Sequence, residues 1–227
     1  MSKHLQRGLD ALRQSLVTQF ASVEQMIQLA VRSLVQGRAD LADRVIASDK
    51  EVDDAEIHIE EECLKLLALY QPVASDLRRV VTVIKVNSDL ERMADLACNI
   101  AERALALDRF PLFQPPAELS EMVQTATEMV RNALDSFVEE DSAKAADVIR
   151  TDSIVDTLNR VVIDLLHEMM NRDPELIEPA VHCFSASRHV ERIGDLAESI
   201  SEDVIYLVEG EIIRHKHGVF FDLPQNK

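Results

Sequence analysis

The stretch Glu91-Arg92-Met93-Ala94-Asp95-Leu96-Ala97 returns one hundred positions later as Glu191-Arg192-Ile193-Gly194-Asp195-Leu196-Ala197. Across 91–102 and 191–202, seven of twelve positions are identical: Glu, Arg, Asp, Leu, Ala, Ile and Glu. A second echo precedes it, with Asp49-Lys50-Glu51-Val52-Asp53 matched by Asp152-Ser153-Ile154-Val155-Asp156. Asp53 lies 38 residues ahead of Glu91 and Asp156 lies 35 ahead of Glu191, so the first hairpin is slightly longer. Motifs that recur in order and at nearly fixed spacing mark a duplicated unit.

Working outward, Leu5, Leu9, Leu12, Leu16, Phe20, Val23, Ile27, Ala30 and Leu34 recur every three or four residues, which predicts an amphipathic helix over 4–36. Gly37 ends it, and Asp40 opens a second helix over 40–70. Pro72 closes that one, and Ser75 or Asp76 begins a third reaching 107. Pro111, Pro115 and Pro116 make 108–117 a linker. The plan then repeats over 118–140, 143–171 and 174–210, leaving 211–227 as a non-helical tail. The expected fold is all-α: six long helices in two tandem three-helix bundles, 1–107 and 118–210, related by internal duplication.

Composition agrees. Of 227 residues, 47% are hydrophobic but only 4% aromatic, with five Gly and no Trp, which favours helices over sheets. The net charge of -17 repels phosphate backbones and anionic headgroups, so nucleic acid and membrane surfaces are excluded as direct partners. Three scattered cysteines without C-x-x-C spacing fit a reducing compartment. With no signal peptide and no apolar run long enough to span a membrane, the expected location is the cytoplasm.

Each unit carries an acid-x-x-x-acid pair on two adjacent helices: Asp49 with Asp53 and Glu91 with Asp95, then Asp152 with Asp156 and Glu191 with Asp195. Spacing of four residues puts both carboxylates on one helix face. A short turn makes the two helices antiparallel, so the pairs can face each other. Like charges at this spacing repel, and a divalent cation turns the repulsion into a site. An all-oxygen set suits Mg2+, Mn2+ or Ca2+, with iron admissible. Glu102 and Glu202 lie three turns further along the same stripe. Such acids can also form a plain solvated face, and Arg92 and Arg192 read as ion-pair partners within the bundle. His58, His167, His182 and His189 stand singly, without the Glu-x-x-His pairs of di-iron oxidases. Cys98 and Cys183 read as packed thiols, and no phosphate loop or hydrolytic triad is present.

Glu91-Arg92-Met93-Ala94-Asp95 and Glu191-Arg192-Ile193-Gly194-Asp195 resemble the paired E-R-I-G-D motifs of the PhoU family of phosphate uptake regulators. Gln71-Pro72-Val73-Ala74-Ser75-Asp76-Leu77-Arg78 is similar to that family's Q-P-x-x-x-D-L-R turn, and Ala47-Ser48-Asp49-Lys50-Glu51-Val52-Asp53 to its second-helix acidic motif. Met93-Ala94 departs from the usual Ile-Gly. The resemblance covers nearly the whole chain. It implies a non-enzymatic, dimeric cytoplasmic regulator acting between the phosphate ABC importer, through its ATPase, and a phosphate-sensing histidine kinase. In that role it represses uptake and the starvation response when phosphate is plentiful. By position it also implies metal ligation by Asp49, Asp53, Glu91, Asp95, Asp152, Asp156, Glu191 and Asp195, with iron, zinc, Mg2+ or Mn2+ as the ions. Two other classes compete: a carboxylate-bridged metalloenzyme (hydrolase or oxidase), and a helical protein that binds no metal.

Overall fold

The computed structural model describes residues 3–213, which form six long helices and no strand among the described residues. They are α1 (Lys3–Gln36), α2 (Ala39–Tyr70), α3 (Ala74–Leu107), α4 (Ala117–Glu139), α5 (Ser142–Arg172) and α6 (Ile177–Glu209), with a 3-10 turn at Pro174–Leu176 leading into α6. Of the tail expected at 211–227, positions beyond 213 lie outside the described residues.

Local chemistry explains the boundaries. Gly37 follows α1 at φ +63°, a left-handed conformation that carries no Cβ penalty in glycine. Asp40 does not cap α2. It sits in the first turn, where a negative charge is favourable, and its carboxylate meets Arg38 at 2.7 Å. Asp141 does cap α5, its side chain accepting from the backbone N–H groups of Ala143 and Lys144. Asp173 likewise accepts from the Glu175 N–H at the 3-10 turn. The third helix opens at Ala74, one residue ahead of the expected Ser75 or Asp76.

In each unit the first helix packs on the other two, and the two units meet through α3 against α6 and α1 against α4. The apolar spacing of α1 is the reason: Leu5, Leu9, Leu12, Leu16, Phe20, Val23, Ile27, Ala30 and Leu34 are all buried. They join one core that runs through both units. Each fully buried Leu, Ile or Phe contributes about 1.5–3 kcal/mol relative to an exposed one. With α3 and α6 central and α2 and α5 on the flanks, the acidic motifs lie on the two outer hairpins.

Along the seam, α3 and α6 run antiparallel, Lys85 contacting Asp203 near one end and Arg109 reaching Glu178 at 3.3 Å near the other. The duplication relates the helices but not their charges. Asp89 and Asp203 are buried at the first end, where Lys85 and Arg92 face them. Their counterparts one hundred positions away are His189 and Arg103. The predicted ion pair of Arg92 is present with Asp89 at 3.6 Å, but the arginine is mostly exposed, so the contact is weak.

Burial pushes the Asp203 carboxyl up from its ordinary 3.8 to about 7, although Lys85 lies against it. Burial and the charge of Asp203 raise Asp89 to about 6. Between about 4 and 7, folded Asp203 keeps a proton that the unfolded chain releases, so its contribution to stability falls as pH rises through that window. Asn at this position does not titrate. The melting temperature of Asp203→Asn minus that of wild type, followed by circular dichroism, should therefore climb across the window and level off above it. A difference that stays flat would show that Asp203 does not titrate there.

Candidate metal centres

The hairpin of α2 and α3 is antiparallel because only three residues join the helices, and two cross-contacts fix its register. Asn87 Nδ2 donates to the Glu56 carbonyl at 2.9 Å, and Cys98 Sγ lies 3.3 Å from Asp49 Oδ1. This register sets Asp49, Asp53 and Glu56 of α2 against Glu91, Asp95 and Cys98 of α3. Burial, then Asp95, Glu56 and Asp53, raise the Glu91 carboxyl above its ordinary value. Burial, then Asp49 and Asp53, raise Asp95. Glu56 is raised by burial and by Glu60 and Asp53. The four acids expected in this unit thus share one field of mutual repulsion, and Glu56 joins them.

The second unit is tighter. Asp152, Asp156 and Asp195 each offer an oxygen, and these oxygens all lie within 4.8 Å of one another. Hard cations bind oxygen at about 2.0–2.6 Å, so donors up to about 5 Å apart can share one ion. Burial and the charges of Glu198, Asp195, Asp156 and Glu191 push Asp152 up to about 7. Burial, Glu191 and Asp156 push Asp195 to about 6. Glu191 completes the expected set. Its Oε1 accepts from Arg188 at 2.7 Å, while its buried Oε2 has no donor. Asn159, one turn along α5 from Asp156 and 3% exposed, also has an Oδ1 without a donor. A divalent cation would bring positive charge to the converging carboxylates and to the donor-less Glu191 Oε2. The donor set therefore fits a divalent metal.

Gly194 faces the cluster: a Cβ there would lie in ordinary contact, 3.4 Å from Asp152 Oδ1 and 3.5 Å from Val155 Cγ1. The corresponding position in the first unit is Ala94, buried at 1% exposure.

Sequence reasoning missed Glu56, Asn159, Glu198 and the role of Cys98. Cys183 is fully buried, as a packed thiol should be, but Cys98 is only half-buried and touches Asp49. Burial and the Asp49 carboxylate push the Cys98 thiol up to about 12. The signal lay within the duplicated stretch itself, where position 98 is Cys and position 198 is Glu. Glu202, expected on the acidic stripe, instead lines a cleft with Val81, Lys85, Asp203 and Tyr206 on the α3 side.

A model of the PhoU domain matches residues 17–104 and again 119–204. The chain is 38% identical over 211 residues to the phosphate-specific transport system accessory protein PhoU homolog of Aquifex aeolicus, covering 93% of this chain and 96% of the relative. It is 32% identical over 212 residues to phosphate-specific transport system accessory protein PhoU of Escherichia coli, covering 92% and 87% respectively. The crystal structure of PhoU from Pseudomonas aeruginosa superposes with a TM-score of 0.88 at 34% identity, over 91% of this chain and 99% of that one. The phosphate transport system regulatory protein PhoU from Streptococcus pneumoniae gives 0.85 at 27% identity, over 92% and 98%. Each half of the duplicated architecture matches the same domain over most of its residues, and the chain belongs to the PhoU family.

Proposed function

We propose that this chain is an accessory regulator of phosphate transport, a negative regulator of phosphate uptake and of the phosphate-starvation response. It works as a non-catalytic adaptor, joining the ATPase of the phosphate ABC importer to the phosphate-sensing histidine kinase, in the cytoplasm and as a homodimer. The names of its relatives support the transport role. The observation that carries the metal-dependent part is the convergence of Asp152, Asp156 and Asp195 beside the donor-less Glu191 Oε2. In the first unit Asp49, Asp53, Glu91 and Asp95 form the corresponding set. A divalent ion such as Mg2+, Mn2+, iron or zinc supplies positive charge that cancels the repulsion.

The protein's own part follows from its packing. Each centre spans two helices, so ligation pulls α2 toward α3 and α5 toward α6 and fixes the surface they present to a partner. The relatives are named as accessory and regulatory proteins of phosphate transport, which favours a scaffold over a hydrolase. No described helix is long and apolar enough to cross a membrane.

Manganese bound per chain, measured by equilibrium dialysis, should fall when Asp152, Asp156 and Asp195 are all changed to Asn. The metal-free triple variant should melt higher than metal-free wild type, because three mutually repelling charges are gone. Ligand at about 100 times its Kd stabilises a single site by about 2.7 kcal/mol, a shift the wild type should show and the second centre of the variant should lose. Unchanged stoichiometry would remove these residues from the metal set.

Alkaline phosphatase activity tests the regulatory role in the organism that encodes the chain. With excess phosphate, a deletion strain should show high activity and the intact gene should return it to low. Low activity in the deletion strain would overturn the assignment as a negative regulator while leaving the fold and family unchanged.

A further inference from the structure

At the basic end of the α3–α6 seam lies a group of polar side chains that the carboxylate centres do not use. The Lys85–Asp203 and Arg109–Glu178 contacts share one antiparallel register, which sets Arg103 of α3 across from Ser185 of α6. His182, Ser185 and His189 follow one another at spacings of three and four residues, so they lie on one face of α6 with Arg103 opposite the middle of the row. All three are half-buried. Two contacts agree with this placement. Ser185 Oγ and His189 Nε2 are 3.3 Å apart, and the Arg103 charge acts on both His182 and His189.

The duplication supplies a comparison. One hundred positions away, Arg103 corresponds to Asp203 and Ser185 to Lys85, the two residues that pair across the other end of the seam. The exchange of Asp for Arg and Lys for Ser leaves a guanidinium facing a hydroxyl where the other end has an ion pair. Arg103 meets its chain neighbour Glu102 at 3.2 Å, and its side chain is 33% exposed. His189 Nδ1 is buried with no hydrogen-bond partner. A buried ring nitrogen left unpaired calls for a partner that the folded chain does not supply.

We propose that Arg103, His182, Ser185 and His189 cradle a tetrahedral oxyanion, and that inorganic phosphate is the ligand. The site stands apart from the carboxylate centres and does not depend on their holding metal. A guanidinium presents parallel N–H donors that match two oxygens of one anion. Ser185 adds a hydroxyl, and the imidazole nitrogens donate or accept according to tautomer. Glu102 selects among oxyanions. Monohydrogen phosphate keeps a P–O–H group that donates to a carboxylate, whereas sulfate at neutral pH has no proton to give and is repelled. Burial, then Arg103 and Arg109, lower the His182 imidazole below its ordinary value, against the opposite pull of Glu178. The local field is therefore positive although the chain as a whole carries a net charge of -17.

Calorimetric titration of the full-length chain with inorganic phosphate tests the site. The buffer contains chelator, so that no metal bridges the anion to the carboxylate centres, and the imidazole signals of His182 and His189 are followed by NMR. Phosphate should bind and shift both signals. Arg103→Gln should weaken binding by about tenfold or more, because a charge-assisted contact is lost, and Ser185→Ala should weaken it less. Glu102→Gln should narrow the preference for phosphate over sulfate. Absence of binding at millimolar phosphate, binding unchanged in Arg103→Gln, or equal binding of sulfate by the wild type overturns the proposal. Should Arg103→Gln lose helicity by circular dichroism, Ser185→Ala and the wild-type imidazole shifts still decide it. Failure here leaves the regulatory role standing, since the deletion strain tests that role separately.

Discussion

Burial of the apolar stripe of α1, and of its counterpart α4, is the constraint on which the rest depends. Leu12, Leu16, Phe20, Val23 and Ile27 are almost wholly removed from water. They hold α2 and α3 side by side, just as Leu119, Met122, Ala126 and Met129 hold α5 and α6. Without that backing, helices bearing so many like charges on adjacent faces would separate. Burial and mutual charge raise Asp152 to about 7 and Asp195 to about 6, and the burial of many large side chains opposes that cost. The core can therefore keep acidic faces in register even before an ion arrives. The centres are places where stability from packing offsets a local electrostatic cost.

The fold was legible in the sequence because every strong signal was periodic. The three- and four-residue spacing in α1 follows from helix geometry, the break at 108–117 from proline's missing N–H, and the one-hundred-residue echo from duplication. Boundaries were less exact for a physical reason. Asp40 and Ser75 have the chemistry of caps, yet Arg38 and Val73 hold those positions, because the neighbouring turns, not the side chains, set where the backbone leaves the helix.

The candidate site was legible only in its repeated half. Residues occurring in both units announced themselves, while Cys98, Glu198, Glu56 and Asn159 did not, since each differs from its counterpart and a search for echoes passes over it. Their contribution depends on which face of one helix meets which face of another, and the register shown by Asn87 and Glu56 supplies that. Glu202 makes the complementary point. Eleven residues from Glu191 it is about 20° from the same face by helical arithmetic, yet it also borders the cleft that Lys85 and Asp203 line on the α3 side.

The seam between α3 and α6 relates two equivalent helices, but its charges are not equivalent. Asp89 and Asp203 lie at one end, while His189 and Arg103 occupy the corresponding places at the other. Burial, then Arg192 and Arg103, lower the His189 imidazole below its ordinary value, opposite in sense to the raised carboxyls. Gene duplication of a three-helix unit makes a molecule whose two ends look alike in outline, and divergence at the seam gives it a direction. A body with matching halves but unlike charged groups along its seam presents its two ends differently. Any surface spanning both halves therefore meets them in one order.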